Sequence, residues 1–302
     1  MLTCDEYITP ASLGEAFAAM EAHRGNYRVI AGATDTYPWA REGRAGDVHI
    51  KALIDVSKIP ALTELEITEQ RVRMGAATAI QRFLDNPALG RALPSMPRCA
   101  VWFADDQLRA LATIGGNIVN ASPAADGTPC LIAHEAVVQL RSAHGRRAMP
   151  LTEFVTGPNK TKLAEGELLV SVECDALPGY GGSFEKVGHR RSLVISLACV
   201  ATAIKLDADG RVVEDVRLGL AGVCPVPQRL RDIERFLRGR PLSAKLIEQA
   251  AGMPLNLVQS RTRREYRRDI LRGFMARGLI TAAKRAGADP SALPDELEAA
   301  YA

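Results

Sequence analysis

Two short segments of this chain combine residue types able to grip an anion without a lysine: Ala31-Gly32-Ala33-Thr34-Asp35 and Thr113-Ile114-Gly115-Gly116-Asn117. Glycine lets backbone N–H groups turn outward and approach a ligand closely, and a neighbouring hydroxyl or amide adds a further donor. Two such segments in one domain predict a diphosphate held from two sides. Met alone, a glycine pair after a helix is more often a plain turn.

Other chemistries have no residue to rest on. Neither segment fits the dinucleotide fingerprint GxGxxG, and Gly179-Tyr180-Gly181-Gly182 lacks both the third glycine and a following helix. GxxxxGK[ST], GxSxG and HExxH are all missing from the sequence, which argues against kinase, hydrolase and zinc-protease readings. The six cysteines (Cys4, Cys99, Cys130, Cys174, Cys199, Cys224) and five histidines are scattered, with no CxxC pair. They predict reduced, packed thiols and no metal site. No catalytic residue is assigned.

Elements that would position the two segments are visible around them. Ser12 caps a helix through Ala22 whose Leu13, Phe17 and Met20 face a core. Tyr27 to Ile30 reads as a strand running into the first segment, with further strands at His49 to Val56 and Val72 to Ala76. Ala79 to Leu84 and Arg98 to Leu111 read as helices, the latter delivering the chain to Thr113. Strands are expected at Val137 to Arg141 and Glu167 to Cys174, with a His144-Gly145 turn between them. Leu177 to Gly182, rich in proline and glycine, suggests a domain boundary. Val194 to Leu206 and Val212 to Leu220 flank the hairpin signal Asp207-Ala208-Asp209-Gly210. Helices follow at Leu230 to Leu237, Ala244 to Ala251 and Arg264 to Ala286, then a tail from Asp289.

With 302 residues, 47% hydrophobic and 24% charged, the chain has the composition of a soluble globular protein. A net charge of +3 gives no electrostatic basis for a nucleic-acid or membrane partner. The longest uncharged apolar run, Leu193 to Ile204, is shorter than the roughly twenty residues of a membrane helix and reads as a buried strand. The N-terminus has no secretory pattern, so a cytoplasmic location is expected. The basic run Arg261, Arg263, Arg264, Arg267, Arg268 and Arg272 reads as a solvated helix face, or else as an interface with an acidic partner.

Five segments taken in order resemble the FAD-binding medium subunit of the molybdenum hydroxylases, the group of xanthine dehydrogenase and carbon monoxide dehydrogenase. They are Tyr7 to Ala16, VIAGATD at Val29 to Asp35, ATIGGNIVNASPAAD at Ala112 to Asp126, GELLVSVE at Gly166 to Glu173, and FEKVGHRRSLVISLA at Phe184 to Ala198. The resemblance implies an α+β fold: a two-lobed FAD-binding domain of the vanillyl-alcohol oxidase and carbon monoxide dehydrogenase flavoprotein type, then a small α+β C-terminal domain. The corresponding boundaries are 1–176, with lobes of about 1–57 and 58–176, then 177–288 and a tail of 289–302.

The resemblance also implies residue roles. Ile30, Ala31, Gly32, Ala33, Thr34, Asp35 and Thr36 would wrap the FAD diphosphate, with alanine at 33 where the family often has a second glycine. Thr113, Ile114, Gly115, Gly116 and Asn117 would contact the diphosphate and ribityl region, and Asp126 would reach a ribityl hydroxyl or fix its loop. Leu169 would lie near the isoalloxazine or adenine edge. Lys186 would approach the flavin, where a cation stabilises the anionic reduced ring. Tyr37 and Trp39 could stack on flavin or adenine, or pack into a core. The implied function is an electron-transfer subunit partnered by a molybdopterin-containing large subunit and a small subunit with two two-iron clusters, with NAD, oxygen or another acceptor. A stand-alone FAD-dependent oxidase or reductase of the same superfold, and a nucleotide-binding module without redox function, are the alternatives.

Overall fold

The computed structural model describes residues 2–42, 49–190, 194–260 and 262–293. Three sheets succeed one another along the chain. The first is parallel, in the order β1 (Thr3–Ile8), β3 (His49–Asp55), β2 (Tyr27–Ile30). It is covered by α1 (Leu13–Ala22), which starts because the Ser12 hydroxyl accepts from Glu15 N–H while the Glu15 carboxylate accepts from Ala11 N–H. Ala16, Phe17 and Met20 of α1 bury against Ile54, Ile59 and Leu62. Leu13, expected in the core, is only partly covered. The short helix α2 (Thr36–Arg41) follows β2 across the first glycine segment.

The second sheet is antiparallel: β4 (Leu65–Ile67), β5 (Arg71–Gly75), β10 (Leu168–Asp175), β6 (Val137–Ser142), β7 (Gly145–Pro150). Between β5 and β6 lie α3 (Arg82–Asp85), α4 (Pro87–Ala92), α5 (Met96–Trp102), α6 (Asp106–Leu111), α7 (Ile114–Val119) and α8 (Gly127–Ala133). After β7 come α9 (Leu151–Phe154) and the two-stranded β8 (Val155–Gly157) with β9 (Lys160–Thr161).

The third sheet is antiparallel, β11 (Gly181–Val187), β12 (Ala198–Leu206), β13 (Val213–Ala221), β14 (Gln228–Arg229), with α10 (Arg231–Leu237), α11 (Ala244–Gly252) and α12 (Arg264–Arg285) following it. Strand β12 is buried along almost its whole length, since α12 covers one side of the sheet and α8 of the preceding region packs on β12 and β13. Glycine is required at 219, where a Cβ would overlap the Pro129 carbonyl. That close approach brings the first turn of α8 against the third sheet.

Several expectations are corrected. Arg98 to Leu111 is two helices, because Ala104 takes a left-handed φ of 49° and Asp105 caps α6 through its carboxylate. The expected helix at Ala79 to Leu84 begins only at Arg82; Ile80 and Gln81 N–H groups bond instead to the carbonyls of Ala112 and Arg109. The His144-Gly145 turn joins β6 to β7 rather than to β10. Strand β11 begins inside the proline-glycine segment, since Gly181 and Gly182 pair with Ile204 and Ala203. Val194 to Leu197 precede β12 rather than belonging to it; Leu193, Arg261 and the end of the tail lie outside the described residues.

Part of the basic run has an internal use, while Arg263, Arg264 and Arg272 remain exposed. Arg264 Nε donates to Val258 O, Arg268 Nε to Leu255 O, and Arg267 Nη1 to the carbonyls of Leu197 and Gly222. These guanidiniums fasten neighbouring loops to α12 through otherwise unbonded carbonyls. Among the described residues no helix is long and apolar enough to cross a membrane.

Candidate flavin site

The first segment is a turn held at its ends and open along its backbone. Ile30 is buried at the end of β2, and the chain passes Ala31 to Asp35 before Tyr37 N–H closes onto Ala33 O at 3.1 Å. The N–H groups of Gly32, Ala33, Thr34 and Asp35 donate no hydrogen bond to any of the described residues. Four consecutive unpartnered donors are what a backbone anion site requires. Ala33 adopts φ 53°, the left-handed region that glycine occupies without strain. Thus the position where the family often has glycine keeps glycine's conformation with a Cβ added.

The second segment is a helix start. The Thr113 hydroxyl accepts from Gly116 N–H at 3.0 Å as the N-cap of α7. Ile114 N–H donates to Thr78 O at 2.9 Å, Gly115 N–H to Ala76 O at 2.8 Å, and Asn117 N–H to Thr113 O at 3.0 Å. The amides of residues 114 to 117 are therefore engaged within the protein. A Cβ on Gly115 would stand 2.6 Å from Ala76 O, so this glycine serves close packing, whereas Gly116 is exposed. Beside these lie two buried oxygens with no partner among the described residues, Thr78 Oγ1 and Asn117 Oδ1. Both are acceptors left available to a hydrogen-bond donor.

The two segments meet. A Cβ on Gly32 would overlap the carbonyl of Leu111, two residues before the second segment, and Asn120 Nδ2 donates to Asp35 Oδ2 in a short contact. The outer edge of Asp35 reaches solvent, yet the atoms packed around it push its carboxyl above the usual carboxylate range, with the Asn120 hydrogen bond acting the other way.

A third cluster joins Lys186 of β11 to Asp126 at the foot of α8. Lys186 Nζ donates to Asp126 Oδ2 at 2.5 Å and to Trp102 O at 3.2 Å; the Lys186 side chain is 4% exposed and that of Asp126 10%. Ser196 Oγ donates to Asp126 Oδ1 at 2.5 Å. Burial pushes the Asp126 carboxyl upward while Lys186 opposes the shift. Of the two roles expected of Asp126, the one displayed here is anchoring. Lysine has three donors and two are used, which leaves one N–H without a partner among the described residues.

The remaining expected residues divide. Tyr37 is 57% exposed and Trp39 half-buried beside the open turn, while Leu169 packs in the large core of the second sheet, paired with Leu140. Asn120, Ser196 and the Trp102 carbonyl were not anticipated. Ser196 and Asn120 lay within segments already singled out, without a role of their own; the Trp102 carbonyl had no signal in sequence. Two surface clefts, of about 240 and 480 Å³, lie between α1 and the β6–β7 turn, and none of the expected residues lines them.

Residues 3–174 match the sequence profile of the FAD binding domain in molybdopterin dehydrogenase, and residues 183–282 that of the CO dehydrogenase flavoprotein C-terminal domain. The chain belongs to this FAD-binding medium-subunit family. It is 32% identical to the glyceraldehyde dehydrogenase medium chain of Sulfolobus acidocaldarius, over 81% of this chain and 85% of the relative. Identity to a putative xanthine dehydrogenase FAD-binding subunit of Escherichia coli K12 is 29%, over 85% and 87%. The solved structure of carbon monoxide dehydrogenase from Hydrogenophaga pseudoflava superposes with a TM-score of 0.85 at 27% identity, covering 93% of this chain and 97% of that one. The family's fold and its oxidoreductase class are thereby those of this chain.

Proposed function

We propose that this chain carries FAD as the electron-transfer subunit of a three-subunit molybdenum hydroxylase in the cytoplasm. The observation that supports this most is the run of four unengaged amides at 32–35, docked against the second segment at Gly32–Leu111 and Asp35–Asn120. Bound there, FAD would supply the redox chemistry, and the protein would hold, orient and tune it.

In this reading the amides of Gly32 to Asp35, with the hydroxyls of Thr34 and Thr36, hold the diphosphate from one side, and Ile30 and Ala31 set the turn. Thr113, Ile114, Gly115, Gly116 and Asn117 face the diphosphate and ribityl region from the other side, mainly through shape and an exposed glycine surface, with the unpartnered Asn117 oxygen accepting from a ribityl hydroxyl. Asp126 accepts from a ribityl hydroxyl or holds Lys186. The free N–H of Lys186 points its positive charge at the ring, Leu169 lies behind the ring or the adenine, and Tyr37 covers an exposed edge. Residues 1–176 would form the FAD-binding domain and 177–288 the C-terminal flavoprotein domain.

Electrons would arrive from iron–sulfur clusters on a small subunit, fed by a molybdopterin-containing large subunit, and leave to NAD or another acceptor. Among the described residues no group of three or more His, Cys, Asp or Glu is placed to hold a metal, so clusters would belong to partners.

Native co-purification tests the reading. The expected result is a complex with one FAD on this chain and molybdenum and iron on its partners, bleached by substrate and reoxidised by the acceptor. A folded chain that takes up no FAD sinks it. A chain that binds FAD and oxidises a small molecule alone, without molybdenum, favours the stand-alone oxidase.

A further inference from the structure

We propose that Ser196 is a positioning residue for the Lys186 ammonium, acting through Asp126. This deepens the flavin reading and rests on it.

Four separate parts of the chain converge here: the end of α5, the foot of α8, β11 and the stretch before β12. Each Asp126 oxygen takes one donor, Oδ2 from Lys186 and Oδ1 from Ser196, both at 2.5 Å. Ser196 is 4% exposed, so water does not substitute for it. A hydroxyl donating to a carboxylate withdraws part of its negative charge. The carboxylate then neutralises Lys186 less completely, and its second oxygen is fixed in direction. The ammonium keeps both its field and the orientation of its third N–H.

The placement of Ser196 is itself determined by a closed circuit. Leu197 N–H donates to Val187 O at 2.8 Å, which ties the stretch to the residue after Lys186. Leu197 O accepts from Arg267 of α12, whose guanidinium also donates to Gly222 O at 2.9 Å. Gly222 N–H in turn donates to Pro123 O at 2.8 Å, in the loop that carries Asp126. Serine, carboxylate and ammonium are thus fastened to one frame, with Arg267 as its outer clamp. Next to it Ile195 is 73% and Trp102 53% exposed, so the buried polar trio lies beneath an apolar rim.

The test uses the FAD-loaded assembly, with the flavin-to-protein ratio and the flavin midpoint potential measured for wild type, Ser196→Ala, Ser196→Thr and Ser196→Cys. The expected result is FAD retained in all four, a lowered potential in Ser196→Ala, and a potential near wild type in Ser196→Thr. An unchanged potential in Ser196→Ala with FAD bound overturns the proposal while leaving the flavin reading intact. A Ser196→Thr potential as low as that of Ser196→Ala overturns it too, because the hydroxyl would then be irrelevant. Should Ser196→Ala fail to fold, Ser196→Cys, near in size and a weak donor, decides: a lowered potential supports the proposal and a wild-type potential overturns it. Wild type without FAD defeats the underlying reading instead.

Discussion

The first and second glycine segments look alike as residue lists and are built in opposite ways. At 32–35 the amides have no partner among the described residues, while at 114–117 each amide is already bonded, to Thr78 O, Ala76 O, the Thr113 hydroxyl or Thr113 O. Glycine in the first gives a turn close access to its neighbour; in the second, Gly115 lets a helix start sit against β5. The difference teaches that a glycine-and-hydroxyl pattern specifies small size and a local donor, and leaves open whether the backbone is offered to a ligand or used by the fold. In the proposed reading one segment grips and the other forms the wall it closes against.

Amide hydrogen exchange breaks or sharpens this contrast most directly. Without FAD, Gly32 to Asp35 should exchange fast and Ile114 to Asn117 slowly. At FAD concentrations about a hundredfold above Kd, protection at 32–35 should rise by on the order of 10²-fold, with little change at 114–117. Equal protection of both segments in the free protein ends the distinction.

A smaller effect is expected from Gly115→Ala, whose Cβ would meet Ala76 O and Cβ at under 3 Å. It should cost about 2–3 kcal/mol in denaturant unfolding, because backbone must shift to admit the methyl. A loss confined to FAD affinity, with unfolding unchanged, would mean that Gly115 belongs to the grip.

Thr113→Ala removes the N-cap of α7 and should lower stability by about 1 kcal/mol, read the same way. If stability is kept and FAD lost, the hydroxyl serves the ligand rather than the helix.

The slightest effect concerns pH. The folded-state pKa of Asp35 lies above its unfolded value, so the folded protein binds this proton more tightly. Its contribution is therefore most favourable below pH about 4 and is lost as pH rises through the folded pKa. Asp35→Asn, which keeps an acceptor for Asn120, should flatten the unfolding free energy of the apo chain over that window. An identical pH slope in wild type and variant would show that Asp35 is solvated like any surface carboxylate.

Local signals carried much of the fold. The Ser12 cap, the Tyr27–Ile30 strand pattern and the Asp207–Gly210 turn each state their structure within a few residues, and α1, β2 and the turn between β12 and β13 stand where those signals put them. What escaped depends on partners far along the chain. β11 starts on glycines that read as a linker because its pairing strand lies beyond the next turn. The arginines of α12 read as a charged face because the carbonyls they bind belong to loops at 197, 222, 255 and 258. The site shows the same division: its loops were named from residue type, while the Asp126–Lys186–Ser196 trio and the Asp35–Asn120 bond arise only when distant segments fold together.

The Asp35–Asn120 bond closes a span of 85 residues, and the Gly32–Leu111 approach nearly as long a one. Contacts between such remote positions must meet a loop-closure entropy cost before they return anything, which places them late in folding. The open turn after β2 should then reach its final shape only once the helices leading to α7 are in place. Uptake of the nucleotide would mark the end of assembly, and a refolding trace should show flavin fluorescence changing after the far-ultraviolet signal has settled.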